Sequence, residues 1–188
     1  MGVYTSLRNH FLIAMPSMAD VNFYRSVIYI CEHTPEGAMG IIINLPLKVE
    51  LGDVLKNLSI EASSERIAHL PVLAGGPIQQ DRGFVLHRPT LQKWQSSLKL
   101  NDQLSITTSK DILASIAHND GPTDHLIALG YAGWSAGQLE IEFQENAWLC
   151  APLSPEIIFE IPCEQRWRAA AAMLGVEIDF MTKEVGHA

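Results

Sequence analysis

The sequence predicts an α+β fold in a single domain spanning residues 1–188. Three observations predict it. Short β-branched runs recur along the chain, each stopped by Pro or Gly. Segments with apolar residues at helical spacing fall between them, without the regular strand–helix–strand alternation of a doubly wound sheet. Of the 188 residues, 47% are hydrophobic and 18% charged, which is enough apolar material for one sizeable core and lies outside the disordered regime.

Residues 10–15 read as a short buried strand ended by Pro16, and 17–24 as an irregular connection. Residues 26–44 read as a β-hairpin, in which two apolar runs, 27–31 and 38–43, flank a polar loop over 32–37. In the first arm Val27, Tyr29 and Cys31 share one face while Ile28 and Ile30 share the other, so the arm is expected to be covered on both sides. Thr34-Pro35-Glu36-Gly37 suits a type I turn. Apolar residues at 51, 54, 55 and 58 mark a short amphipathic helix, followed by a polar stretch with a helical turn over 59–70. Strands are expected over 71–74, 83–88 and 104–108. Thr108 or Ser109 then caps a helix to His118, with Ile112, Leu113 and Ile116 inward. Residues 119–122 are a turn, and 125–131 a core strand.

The next stretch carries two signals. Leu139, Ile141 and Phe143 alternate with polar residues as in a strand, whereas Ser135 and Gln138 have capping-box spacing; the helix is preferred. Strands over 148–150 and 156–161 follow. Pro162 is expected to open a last helix over 164–174, with Gly175 as its C-terminal cap.

The formal net charge of −8 is unevenly placed. Residues 48–110 hold eight basic and six acidic groups; residues 111–188 hold three basic and twelve acidic. Such a field repels phosphate backbones, so direct nucleic-acid binding is not expected. No apolar run approaches the ~20 residues that span a bilayer. The opening segment, whose apolar run is broken by Pro16, does not read as a signal core, and Gly2 with Ser6 is a weak match to an acylation motif. A soluble, cytoplasmic protein is expected. Cys31, Cys150 and Cys163 are odd in number and lack CxxC spacing, so reduced thiols are expected, with neither a metal set nor a cofactor motif.

Cys31-Glu32-His33 is the sharpest chemical candidate. If the segment is extended, Cys31 and His33 point to one side and Glu32 to the other, and a thiol beside an imidazolium is activated as a nucleophile or redox sensor. The alternative is a small buried Cys31 ending a strand and a loop His33 bonded to backbone. Gly75-Gly76-Pro77 lacks the Lys and spacing of a phosphate loop and reads as a tight turn. Arg82, His87 and Arg88 read as an anion site or a solvated strand edge, the latter preferred. His118, His125 and His187 have no ligand spacing and read as capping or surface histidines. Gly130-Tyr131-Ala132-Gly133-Trp134, with Ser135, only loosely resembles a nucleophile elbow, and packing of Trp134 is preferred.

The order of several segments resembles the YqgE/AlgH family of bacterial proteins. They are FLIAMPSM, RSVIYICEH, GAMGIIIN before Pro46, GGPIQQDRGFVLH, ALGYAGWSAGQLE with NAWL, and the terminal GHA. Where the family usually has Asp-Pro before the Phe ahead of RSV, this chain has Asp20-Val21-Asn22-Phe23. The resemblance implies a curved, partly split, barrel-like sheet flanked by helices. It carries over no catalytic, cofactor or metal residue; one branch is named as a regulator of alginate production. The expected function is therefore that of a non-enzymatic interaction or regulatory protein whose acidic C-terminal third meets a protein partner. The alternative is a thiol-dependent enzyme or redox-responsive binder using Cys31, Glu32 and His33.

Overall fold

The computed structural model describes residues 4–181; the Gly2 motif, His187 and the terminal GHA lie outside the described residues. Ten strands form one sheet: β1 (His10–Ala14), β2 (Val27–Thr34), β3 (Gly37–Ile42), β4 (Pro46–Glu50), β5 (Pro71–Ala74), β6 (Ile78–His87), β7 (Ser97–Lys99), β8 (Ser105–Thr107), β9 (His125–Ser135) and β10 (Trp148–Pro152). The helices are α1 (Leu51–Asn57), α2 (Glu65–Ala68), α3 (Lys110–Ala117), α4 (Gln138–Gln144), α5 (Pro155–Phe159) and α6 (Arg166–Ala172). The main path runs β10-β1-β2-β3-β9-β6-β8-β7, with β4 and β5 branching off it. The sheet splits along β9. The first half of β9 lies between β6 and the parallel β5, and the second half pairs with β3. The result is a curled half-barrel in an α+β domain, as expected.

The curl follows from what each face buries. Phe11, Tyr29, Ile41, Phe84, Ile106 and Ala128, from six strands, meet in one cluster that Trp167 and Ala170 of α6 also enter. Residues so far apart in the sheet order touch on the inner face of a curled sheet. The outer face carries two separate clusters. Leu51, Val85, Ile112 and Ile127 pack beneath α1 and α3; Ile28, Ile30, Trp134, Leu139 and Trp148 pack beneath α4. β2 is thus covered on both sides, and each large side chain so buried contributes about 1.5–3 kcal/mol. Beyond β7 the chain returns to β1. Asn101 Nδ2 donates to Asn9 Oδ1 at 3.1 Å, Tyr29 Oη donates to the same oxygen at 2.6 Å, and Arg8 Nη2 donates to Leu100 O at 3.2 Å.

Several elements differ from the sequence reading. Residues 156–161 form no strand: Pro155 stands in the first turn of α5, Glu156 follows it, and Ile157 and Ile158 are buried. A fixed proline φ and an acidic first turn outweigh a short apolar run, whose period alone does not distinguish helix from strand. The final helix begins later than expected, at Arg166, after a 3-10 turn over Cys163–Gln165. β4 and β7 lie outside the sequence reading because they are short, exposed edge strands in which only two apolar residues alternate with polar ones, Leu47 and Val49 in the first and Leu98 and Leu100 at the second, too few to mark a strand. The segment over 138–144 is the helix preferred above; Ser135 N donates to Gln138 Oε1 at 3.0 Å, although Gly137 is the residue that opens the helix. Where the family has Asp-Pro, Asp20 makes the bend itself: its Oδ1 accepts from Asn22 N at 2.8 Å and its carbonyl from Phe23 N at 3.1 Å.

Candidate functional site

The Cys31-Glu32-His33 segment does not lie in a loop. β2 continues through Thr34, leaving Pro35 and Glu36 to make the turn. Within it the register slips: Ile30 pairs with Gly40 and Glu32 with Met39, so Cys31 is the extra residue of a β-bulge. The bulge overturns the expectation that Cys31 and His33 share a side. Cys31 stays with Tyr29 in the inner cluster, and Glu32, opposite Met39, borders the same face. His33, opposite Ala38, is turned to the outer face. There its Nδ1 accepts from Leu7 N at 2.9 Å, which fixes the proton on Nε2, and Nε2 donates to Glu140 Oε1 at 2.8 Å. The Tyr4 ring lies 5.2 Å away. His33 is a tie between the N-terminal segment, β2 and α4, not a base for the thiol.

The inner face opens beside Cys31. A groove of about 570 Å³ is lined by Cys31, Glu32 and Met39 at one wall, Phe84 and Tyr131 on its floor, and Leu98 at the other wall on β7. β7 ends the sheet, so its outer edge has no strand partner among the described residues. Leu98, opposite Ile106, faces the groove and is 59% exposed. The Cys31 thiol is pushed up to about 12, chiefly by burial, with Glu32 adding to the rise and Arg8 opposing it. It is therefore neutral at physiological pH, and the thiolate is the nucleophilic form. Iodoacetamide is expected to alkylate Cys31 at pH 7.5 roughly tenfold or more slowly than free cysteine, with the rate still climbing above pH 10. Mass spectrometry of the labelled peptide checks this; rapid, pH-independent labelling at neutral pH would contradict it.

The other candidates are not drawn together. Arg82 lies over the Phe84 ring at 5.3 Å, while Arg88 Nε is paired with Asp124 Oδ2 at 2.6 Å. His87 is buried, donating from Nδ1 to Arg88 O and accepting at Nε2 from Thr107 Oγ1, each at 2.8 Å, and burial lowers its pKa. His118 Nδ1 donates to Ala114 O at the end of α3, and His125 Nδ1 to Pro122 O. Trp134 is packed, stacked on Phe23 at 6.3 Å and edge-on to Trp148. Among the described residues no group of three or more His, Cys, Asp or Glu side chains is placed to hold a metal ion, and no helix is long and apolar enough to cross a membrane.

A family model described as DUF179, AlgH-like, matches residues 11–179. The chain belongs to this AlgH-like family. A UPF0301 protein of Nitrosococcus oceani is 52% identical, over 96% of both chains, and one of Thioalkalivibrio sulfidiphilus is 51% identical, over 98% of both. The solution structure of the AlgH protein from Pseudomonas aeruginosa is 49% identical, covers 100% of this chain and 99% of that one, and superposes with a TM-score of 0.79. A crystal structure of a Corynebacterium diphtheriae protein, 20% identical over 98% of this chain and 90% of its own, shares the fold with a TM-score of 0.65. The AlgH-like half-barrel thus carries the groove beside Cys31, whose lining comes from strands far apart in sequence. Leu98 sits on a strand too short and polar to be read, and Met39 and Tyr131 read as ordinary core. No linear motif joins them.

Proposed function

We propose that this AlgH-like chain is a binding and regulatory protein of the bacterial cytosol that engages a protein partner through the open groove of its half-barrel. The observation that carries the reading is the uncovered Leu98 beside the free edge of β7, directly above an apolar floor. A free strand edge offers main-chain hydrogen bonds to an extended segment, and alternate side chains of that segment enter the groove. Glu32 on the wall and Glu36 at the hairpin tip are exposed, and the chain is strongly acidic overall, which favours a basic partner. The thiol-dependent alternative has less support, because Cys31 is buried with a raised pKa and the imidazole nearest in sequence is turned to the other face.

Affinity capture from the native cytosol with three forms of the chain tests the reading. A partner retained by wild type and Cys31→Ala, but reduced at least about tenfold by Leu98→Asp, is the expected result. Leu98 is largely exposed, so the aspartate is expected to change stability by no more than about 0.5 kcal/mol. Capture that survives Leu98→Asp and is lost with Cys31→Ala would replace the groove reading with the thiol one.

A further inference from the structure

A second cavity lies on the opposite face of the same strands, and nothing above assigns it a role. It measures about 590 Å³, within the range of small-molecule sites. Its floor is Gly83 and Val85 of β6 beside Ile127 and Leu129 of β9; Val54 and Leu58 from the α1 region and Leu113 of α3 form the walls. Gln79, Asp81, Arg82, Thr108, Ser109 and Lys110 make the rim.

Gly83 is the informative residue. It pairs with Leu129, and its backbone does not occupy the left-handed region that favours glycine. A Cβ built there meets only a Leu129 methyl carbon, Cδ2, at 4.0 Å. Neither conformation nor close packing therefore demands a glycine at this position, and any side chain would project into the cavity. Glycine weakens a strand interior, so its presence here leaves a floor open at some cost in stability.

The rim is cationic on balance. Arg82 and Lys110 are in no ion pair among the described residues. The Arg82 guanidinium, however, lies over the Phe84 ring at 5.3 Å, toward the groove beside Cys31, and its Nη1 donates to Gln79 Oε1 at 3.4 Å, which leaves Lys110 as the cation free to meet a ligand here. Asp81 is the rim carboxylate that opposes them. Asp111, just inside α3, already accepts from the Ser109 hydroxyl through Oδ1 and from Gln95 N through Oδ2, so it does not neutralise Lys110 by contact. An apolar cavity with the unpaired Lys110 at its mouth matches a molecule that is hydrocarbon at one end and anionic at the other.

We propose that this cavity binds a single-chain amphiphile with a carboxylate head, its hydrocarbon lying over Gly83 and its head at Lys110. The site opens on the other face of β6 from the groove beside Cys31; the two share Arg82 and Thr108 at their rims but have separate apolar floors, and this proposal stands or falls independently of the partner proposed for that groove.

The test titrates the delipidated full chain by calorimetry with decanoate, decanol and decyltrimethylammonium, each below its micellar concentration. Decanoate is expected to bind about tenfold more tightly than the ammonium amphiphile, with the difference removed by Lys110→Gln. Gly83→Val is expected to abolish decanoate binding while leaving the thermal midpoint unchanged or raised, since valine suits a strand and the space is open. Val54→Phe closes the same cavity from the α1 side and is expected to act alike. Leu98→Asp, which alters only the other groove, is expected to bind decanoate as wild type does. Failure of wild type to bind decanoate, or wild-type affinity in both Gly83→Val and Val54→Phe, would overturn the proposal. Equal affinity for all three head groups would overturn its assignment of a carboxylate.

Discussion

Gly76→Ala is expected to leave little folded protein. Gly76 has φ +156°, and a Cβ there would lie 2.0 Å from the carbonyl carbon and 2.2 Å from the oxygen of Tyr131. Gly130, at φ +78°, faces it: a Cβ on Gly130 would lie 2.4 Å from Gly76 O. At this point the chain leaving β5 crosses β9 with backbone against backbone. Gly75 N donates to Leu129 O at 2.7 Å, and Ile42 N donates to Gly75 O at 2.8 Å, so β3, β5 and β9 are joined through the same crossing. The obstructing atoms are main chain, so no rotamer change relieves the clash. Strained backbone alone costs about 1–3 kcal/mol. With the strands forced apart the loss is expected to exceed about 4 kcal/mol, a large part of the 5–15 kcal/mol that holds a typical domain together. Urea denaturation followed by circular dichroism checks this, and a wild-type midpoint would contradict it. The expectation reaches beyond this corner because the sheet splits at this crossing, where β9 passes from pairing with β5 and β6 to pairing with β3.

That crossing also shows where sequence reasoning stops. Gly75-Gly76-Pro77 read as a tight turn, which is the local meaning of two glycines before a proline. What actually requires Gly76 is Tyr131, reached only through the sheet. The same holds for Cys31. Strict alternation placed the thiol and the His33 imidazole on one side, and a single inserted residue moved them to opposite faces. Bulges leave no mark in a run as uniformly apolar as residues 27–31. Elements with a strong local signal were legible, among them the hairpin, the helix with Ile112, Leu113 and Ile116 inward, and the strand at Pro71–Ala74. The family segments carried the expectation of a curved sheet, which composition and periodicity could not. Neither cavity was legible, because each is walled by residues that individually look like core or solvated edge, and Gly83 looked like an ordinary strand residue.

Arg166→Ala is expected to cost about 3 kcal/mol and to loosen one end of the half-barrel. Arg166 is only 9% exposed, yet no carboxylate pairs with it among the described residues. Its guanidinium instead donates to main chain. Nη1 reaches Ile43 O, just beyond β3, and also Cys163 Sγ at 3.2 Å, while Nε reaches Ile161 O at 2.8 Å. Burial lowers its pKa, opposed by Cys163 and Glu164, but an arginine starts so high that it stays charged at neutral pH. One side chain thereby joins the sheet to the chain leading into α6, and the adjacent Trp167 Nε1 fastens the same helix to Ala14 O at 2.9 Å. Alanine would leave buried carbonyls without donors and a void beside Ile43. Arg166→Lys keeps the charge but not the planar fork that serves several acceptors, so it is expected to recover less than half of the loss. Because α6 covers part of the inner face that elsewhere forms the groove, Arg166→Ala is also expected to raise binding of a hydrophobic dye well before global unfolding in urea. Coincident dye and circular-dichroism transitions, with a wild-type midpoint, would show that α6 is held by its apolar contacts alone.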